Sequence, residues 1–178
     1  HLPDSKINAY EAFLQAHFDR CEEKFLEDSN LLENVADELR HGRKRIERYK
    51  LGKDKFSLVA PGLKRVYQQG QEAFWLAKQV PTDEHLHEWR KRVKYLWHMI
   101  QLLHLAWAPV LDAYAGELHR LSDLLGADHD LCVLEEFLRN GALQGGPALT
   151  AEFEGVFIAE RSVLREELLK KKKKIYQA

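Results

Sequence analysis

The chain has 178 residues, 45% hydrophobic and 31% charged, long enough to bury a core and too apolar to be disordered throughout. Five Pro and ten Gly are too few for a sandwich or barrel with frequent turns, and the richness in Leu, Glu, Lys, Arg and Ala favours helices. The formal net charge of −1 conceals a segregation: −7 over residues 1–39, +6 over 40–55, +3 over 56–109, −8 over 110–167 and +5 over 168–178, which excludes a uniformly basic nucleic-acid coat but not a local anion site.

Helical periodicity runs almost throughout, and the pattern predicts an all-α antiparallel bundle of about seven helices. A first helix spans about residues 5–27, opened by Ser5 and lined by Ile7, Tyr10, Leu14, Phe18, Cys21 and Phe25. Ser29 or Asn30 caps a second, which runs to about Lys50 with Leu32, Val35, Leu39 and Ile46 on one side. After an LGKDK linker, Pro61 suits the first turn of a third helix, which continues to about Gln79. Thr82 caps a fourth helix that reaches about Ala106. Pro109 opens a fifth and Gly126 offers it a C-cap, so that Asp128 starts a sixth, ending near Asn140. GALQGGP reads as a loop, and a seventh helix fills most of 148–176, with the KKKKK run at 170–174 extending it or fraying into a tail.

Cys21 and Cys132 are too few and too far apart for a disulfide framework or a metal motif, so reduced thiols in a cytoplasmic chain are expected. The opening HLPDSK lacks the apolar core of a signal peptide, and the stretch from Leu96 to Leu111 is broken by His98, Gln101, His104 and Pro109, so no membrane span is expected. The first residue is His rather than Met, and the expectation is a chain incomplete at its N-terminus.

The most informative segment is residues 85–103, HLHEWRKRVKYLWHMIQLL. On a helical wheel Leu86, Trp89, Val93, Leu96, Ile100 and Leu103 share one arc, and His87, Arg90, Lys91, Lys94 and His98 share the next. Exposed like charges on neighbouring turns cost about 0.2–0.5 kcal/mol per pair, a cost that a bound anion offsets. His87 to Lys94 spans about 10 Å of helix axis, which suits an extended polyanion better than a single carboxylate. A solvated basic face is the plain alternative. Further cations on other helices can converge there: Arg40, Arg43, Lys44, Arg45 and Arg48, then Lys64 and Arg65, then Arg161, Arg165 and Lys172.

HLHEWRKRVKYL followed by LSDLLGADHDLCVLEEFL resembles the second half of a CHAD domain, the conserved-histidine α-helical domain. The matching pieces are His87, Arg90, Lys91 and Lys94 in the H-x-x-R-K-x-x-K helix, then Leu125-Gly126 and Asp130-Leu131 in the LG-x-x-x-D-L turn. FSLVAPGLKRVYQQGQEAF resembles the helix that precedes them in the family, and the likeness covers about residues 37–140. The resemblance implies a helical domain with a basic central groove that binds inorganic polyphosphate without catalysis. Some members associate with polyphosphate granules, and some are fused to polyphosphate-metabolising enzymes. The implied binding residues are His87, Arg90, Lys91 and Lys94, more loosely Arg43, Lys64 and Arg65, and most weakly Arg161, Arg165 and Lys172.

The family usually carries two helical repeats, and only one histidine helix is evident here. Residues 1–178 are therefore expected to be a single CHAD-like domain, with 5–50 closing a first repeat and 57–178 forming the second. Gln68, Gln69 and Gln71 stand where members often have Arg. The expected partners are polyphosphate and, through it, polyphosphate-metabolising enzymes, in the cytoplasm or at granules, with no specific nucleic acid, no membrane, no cofactor and no metal.

Two other function classes stay open. His129-Asp130, with His119 ten residues earlier, is a literal HD pair of the kind a metal-dependent phosphohydrolase uses. Its plain reading is an acidic first-turn residue on a helix that begins after Gly126. A general polyanion or nucleic-acid-binding helical module is the other class, although Trp75, Trp89, Trp97 and Trp107 lie mostly at apolar helical positions that favour core packing over base stacking.

Overall fold

The computed structural model describes residues 3–27, 30–49, 56–142 and 146–176, and within them every regular element is helical. The helices are α1 (Asp4–Glu27), α2 (Leu31–Glu47), α3 (Ala60–Gln79), α4 (Asp83–Leu102), α5 (Ala108–Ala142) and α6 (Ala151–Ile175), with single 3-10 turns at Phe56–Leu58 and His104–Ala106. The LGKDK linker and Ser29 lie outside the described residues.

The helix boundaries follow local chemistry at α3 and α4. Pro61 occupies the first turn of α3, where its missing N–H leaves no hydrogen bond unmade. Thr82 stands extended before α4 and its Oγ1 accepts from the His85 N–H at 3.3 Å. The ring Nδ1 of His85 lies 2.7 Å from the carbonyl oxygen of Val80, which fixes this histidine in the turn.

α5 departs from the sequence expectation. It runs unbroken for 35 residues, so the predicted fifth and sixth helices are one and the structure has six α-helices rather than seven. Gly126 lies within it and caps nothing. A glycine inside a helix costs about 0.5–1 kcal/mol relative to alanine, and buried Leu118, Leu121 and Leu125 on one side and Leu138 further along offset that cost by packing. Asp128 and Asp130, read as first-turn acids, are mid-helix residues.

α3, α4, α5 and α6 pack in sequence order around one core, α4 against both α3 and α5, and α5 against α6. Phe74, Trp89, Val93, Leu96, Leu118, Leu121, Leu125 and Leu168 form its fully buried centre. Ile175 and Tyr176 belong to the same core. The Tyr176 ring lies 5.6 Å from Tyr67 and 6.4 Å from Phe74, and its hydroxyl occupies the space over Gly70 where a Cβ would meet it at 2.5 Å. Tyr114 donates to the Ile175 carbonyl at 3.2 Å. α6 therefore carries the lysine run as a helix to a docked end; the side chains of Lys171 to Lys174, Lys172 among them, lie outside the description.

The first half of α1 lies across the far end of α5 and α6 as a second, smaller core. Tyr10, Leu138 and Phe157 are buried there, with Phe13, Phe137 and Phe153 around them. The Tyr10 hydroxyl donates to the Ala148 carbonyl at 2.6 Å, and the Phe13 ring fills the notch that Gly141 and Gly146 leave. α2 buries none of its residues and takes part in none of the main helix packings.

Candidate anion-binding site

Three pairs fix how α4 meets α5. The His87 and His129 rings lie 4.8 Å apart, the Arg90 guanidinium lies 3.8–3.9 Å from where a Cβ on Gly126 would be, and the Trp97 and His119 rings lie 4.6 Å apart. Each step forward along α4 is matched by an equal step back along α5, which defines an antiparallel pair in constant register. The same register sets Lys94 across from Ser122, which is buried. His87, Arg90 and Lys94 therefore line the seam between α4 and α5.

Their pairing state separates these cations from the rest. Among the described residues, Arg90 and Lys94 have no hydrogen-bond or ion-pair partner, and the buried Nε of Arg90 is without an acceptor. By contrast Lys91 holds Glu88 at 2.9 Å, and Arg92 holds the same carboxylate while reaching Gln69 at 2.9 Å. A half-buried guanidinium without an acceptor is costly. That one is left so in a chain with more carboxylates than cations makes the seam a candidate for an anion.

The opposite lip is less basic. His119 Nδ1 lies 3.1 Å from Asp123, and exposed Asp130 follows His129. Burial lowers the His129 pKa, and the positive groups of His87 and Arg90 lower it further against the pull of Asp130 and Asp128. An anion at this seam is thus drawn to the α4 side, and its charge favours a proton on His129.

The other predicted cations are placed differently. Arg161 and Arg165 are held by carboxylates: Arg161 by Asp83, Asp128 and Glu135, and Arg165 by Asp83 and Asp128. Asp128 is only 2% exposed and takes Arg161 Nε at 3.2 Å and Arg165 Nε at 3.0 Å. Arg165 also donates to the Pro81 carbonyl at 3.3 Å. Burial opposes the charge on Arg161, but its bonds to Asp128 and Asp83 outweigh that and raise its pKa. Burial likewise pushes the Asp83 carboxyl up, and the hydrogen bonds from Arg161 and Cys132 with the nearby guanidinium charges bring it net below the usual carboxylate value. This network ties the start of α4 to the middles of α5 and α6.

Arg43 pairs with Glu47 on exposed α2. Lys64 borders an apolar hollow with Phe56, Tyr67 and Tyr114. Gly62 and Gln69 face Met99 and Arg92 of α4; Arg65 shares their stripe on α3 and so stands beside the opposite flank of α4 from Arg90. The structure brings together His87, Arg90 and Lys94, with Lys91 on the crest beside them, and does not bring Arg43, Lys64, Arg65, Arg161 or Arg165 to the same seam. It adds His129, which sequence reasoning had weighed only as half of an HD pair; the signal available was its place one turn past Gly126 on the face of α5 turned to α4. Among the described residues no group of three or more His, Cys, Asp or Glu converges as a metal site, and no helix is long and apolar enough to cross a membrane.

The family model of the CHAD domain matches residues 31–139, which includes α2 through most of α5. Neither the curated proteins nor the solved structures hold a match to the chain.

Proposed function

We propose that this chain, which belongs to the CHAD domain family, binds inorganic polyphosphate along the α4 side of the α4–α5 seam and acts as a binding module rather than an enzyme. The observation that carries the proposal is the pair Arg90 and Lys94, one turn apart and next to His87, unpartnered among the described residues, where Arg161 and Arg165 are held by carboxylates. Arg90 supplies a fork for non-bridging phosphate oxygens, Lys94 a mobile point charge, and His87 and His129 donors whose charge follows pH. Lys91 stays within reach of a polymer by exchanging its exposed contact with Glu88, since such pairs are worth only about 0–1 kcal/mol. Lys64 and Arg65 enter only as secondary contacts to a long polymer. Arg43, Arg161 and Arg165 do not, the first because α2 stands away from the seam and the others because Asp128 and Asp83 hold them. Recruitment to polyphosphate granules, or to enzymes that act on the polymer, is the role this binding would serve.

The polymer releases counterions as it binds, so log affinity falls with log salt, with a slope of about −0.7 per neutralised phosphate by analogy with single-stranded nucleic acid. The test titrates long-chain polyphosphate against the protein at two salt concentrations, with single-stranded DNA of matched charge as competitor. Two charge-assisted contacts are each worth about 1.5–3 kcal/mol, so the double variant Arg90→Glu/Lys94→Glu lowers affinity by at least about 100-fold while its circular-dichroism spectrum is unchanged. Retained binding in that variant places the site elsewhere. Equal affinity for DNA makes the seam a general polyanion surface.

A further inference from the structure

The cations of the α4–α5 seam do nothing to hold it together. Arg90 and Lys94 have no hydrogen-bond or ion-pair partner among the described residues, and the positive groups of His87 and Arg90 oppose a proton on His129. Leu86, Trp89, Val93 and Leu96 seat α4 on the core. Burial is non-directional, however, and a hydrogen bond defines position along a helix axis more sharply.

Such bonds lie at the end of the seam, one turn back from His87 on α4 and one turn on from His129 on α5. Cys132 Sγ donates to Asp83 Oδ2 at 3.2 Å. Oδ1 of the same carboxylate accepts from Arg165 Nη2 at 2.9 Å and from Arg161 Nη2. Both arginines come from α6 and also hold Asp128, the neighbour of His129, and Arg165 reaches the Pro81 carbonyl just before α4. Both oxygens of Asp83 are thus bonded to other helices, although an acid in the first turn favours its own helix with none of these partners. Its side chain is 53% exposed and that of Asp128 is 2%. Asp128 is therefore the buried anchor, and Asp83 is the arm that carries its position to α4.

We propose that Asp83 is the positioning residue of the anion seam: held by Arg161, Arg165 and Cys132, it fixes α4 lengthwise so that His87 faces His129 and Arg90 lies over Gly126. The binding part of this inference rests on the polyanion reading of the seam, and the geometric part does not. Positioning and charge alone have opposite signs here. Removing a carboxylate beside a polyanion site strengthens binding by simple electrostatics. Removing the residue that aligns the cations weakens it.

The test compares Asp83→Ala and Asp83→Asn with the wild-type protein, as full chains, in two measurements. The first needs no ligand and titrates the His129 ring by NMR. Burial holds its midpoint down and His87 and Arg90 across the seam add to this, while Asp130 and Asp128 on its own helix pull the other way. When α4 loses its register, His87 and Arg90 draw back, and the midpoint of Asp83→Ala rises toward 6.5; loss of a negative charge alone lowers it. The second measurement is titration with long-chain polyphosphate at one salt concentration. There Asp83→Ala is expected to bind about 10-fold more weakly, the effect of losing one charge-assisted contact. Asp83→Asn keeps an oxygen for the arginines and an amide for the Cys132 sulfur, so at the same charge it stays closer to wild type in both. Because Asp83 is half exposed, both variants are expected to keep the wild-type circular-dichroism spectrum. A midpoint in Asp83→Ala that falls or stays in place overturns the inference. Tighter or unchanged affinity for the polymer overturns it too, as does an Asp83→Asn protein as impaired as Asp83→Ala. A raised midpoint in a protein whose wild type does not bind polyphosphate supports the positioning and refutes the polymer instead.

Discussion

Replacing Asp128 by alanine isolates what the buried ion network is worth. Asp128 is 2% exposed, and its carboxylate accepts from Arg161 Nε at 3.2 Å, Arg161 Nη2 at 3.3 Å and Arg165 Nε at 3.0 Å. The variant leaves two guanidiniums, 11% and 29% exposed, with less counter-charge than before. Breaking a buried pair from one side costs about 3–5 kcal/mol. Asp83, half in solvent, still binds both arginines, which puts the expectation at the lower end, about 3 kcal/mol. For a domain of this size each kcal/mol moves the melting temperature by about 2–4 °C, so thermal unfolding followed by circular dichroism should shift by about 6–12 °C. The triple variant Asp128→Leu/Arg161→Met/Arg165→Leu removes the charges together and should unfold close to the wild-type temperature. A loss below about 1 kcal/mol for Asp128→Ala, at surface-pair level, refutes the reasoning. So does a triple variant as damaged as the single one.

Two glycines in helices give opposite signs under the same substitution. Gly70→Ala drives a methyl group into the buried Tyr176 ring, 2.5 Å from its hydroxyl and 3.0 Å from ring carbons, and is expected to cost about 1–3 kcal/mol. Gly126→Ala meets Arg90 at an ordinary 3.8–3.9 Å and is expected to stabilise by about 0.5–1 kcal/mol; urea unfolding of the two variants checks both. His129 gives the pH dependence. Its folded pKa lies below the usual 6.5, so the neutral ring is favoured in the free protein and stability falls as pH drops from 6.5 toward the folded value. A bound polyanion favours the proton, so the His129 titration midpoint, followed by NMR, should rise when polyphosphate is added, and affinity should increase as pH falls through that window. A midpoint that polyphosphate leaves in place separates His129 from the binding surface.

The fold class was legible because helix patterning is local: Pro61, Thr82 and Pro109 mark starts that the structure keeps, and the apolar arc of residues 86–100 is the arc that α4 buries. The break at Gly126 was not, because a glycine followed by an acid looks the same at a helix end and in mid-helix. What decides is the packing of Leu118, Leu121 and Leu125 on partners distant in sequence. In the candidate site, the α4 row was readable from spacing alone. Arg161 and Arg165 read as free cations because their partners, Asp83 and Asp128, lie 78 and 33 residues from Arg161, and no local pattern joins them. His129 was obscured for the same reason: its neighbour His87 belongs to the preceding helix.

The docked Tyr176 has a consequence for biosynthesis. The main core holds Phe74 and Trp89 from the middle of the chain together with Ile175 and Tyr176, and the smaller one joins Tyr10 to Phe157. A ribosome delivers these in order, at about 5–20 residues per second. α3, α4 and α5 can associate as they emerge, but with an open side, and α1 waits for α6 with its aromatic face uncovered. The smaller core can close once Phe157 has left the tunnel, and the main core only when Ile175 and Tyr176 have. Until then this chain is most exposed to capture by chaperones or by other nascent copies, and a stall within the lysine run would prolong the interval.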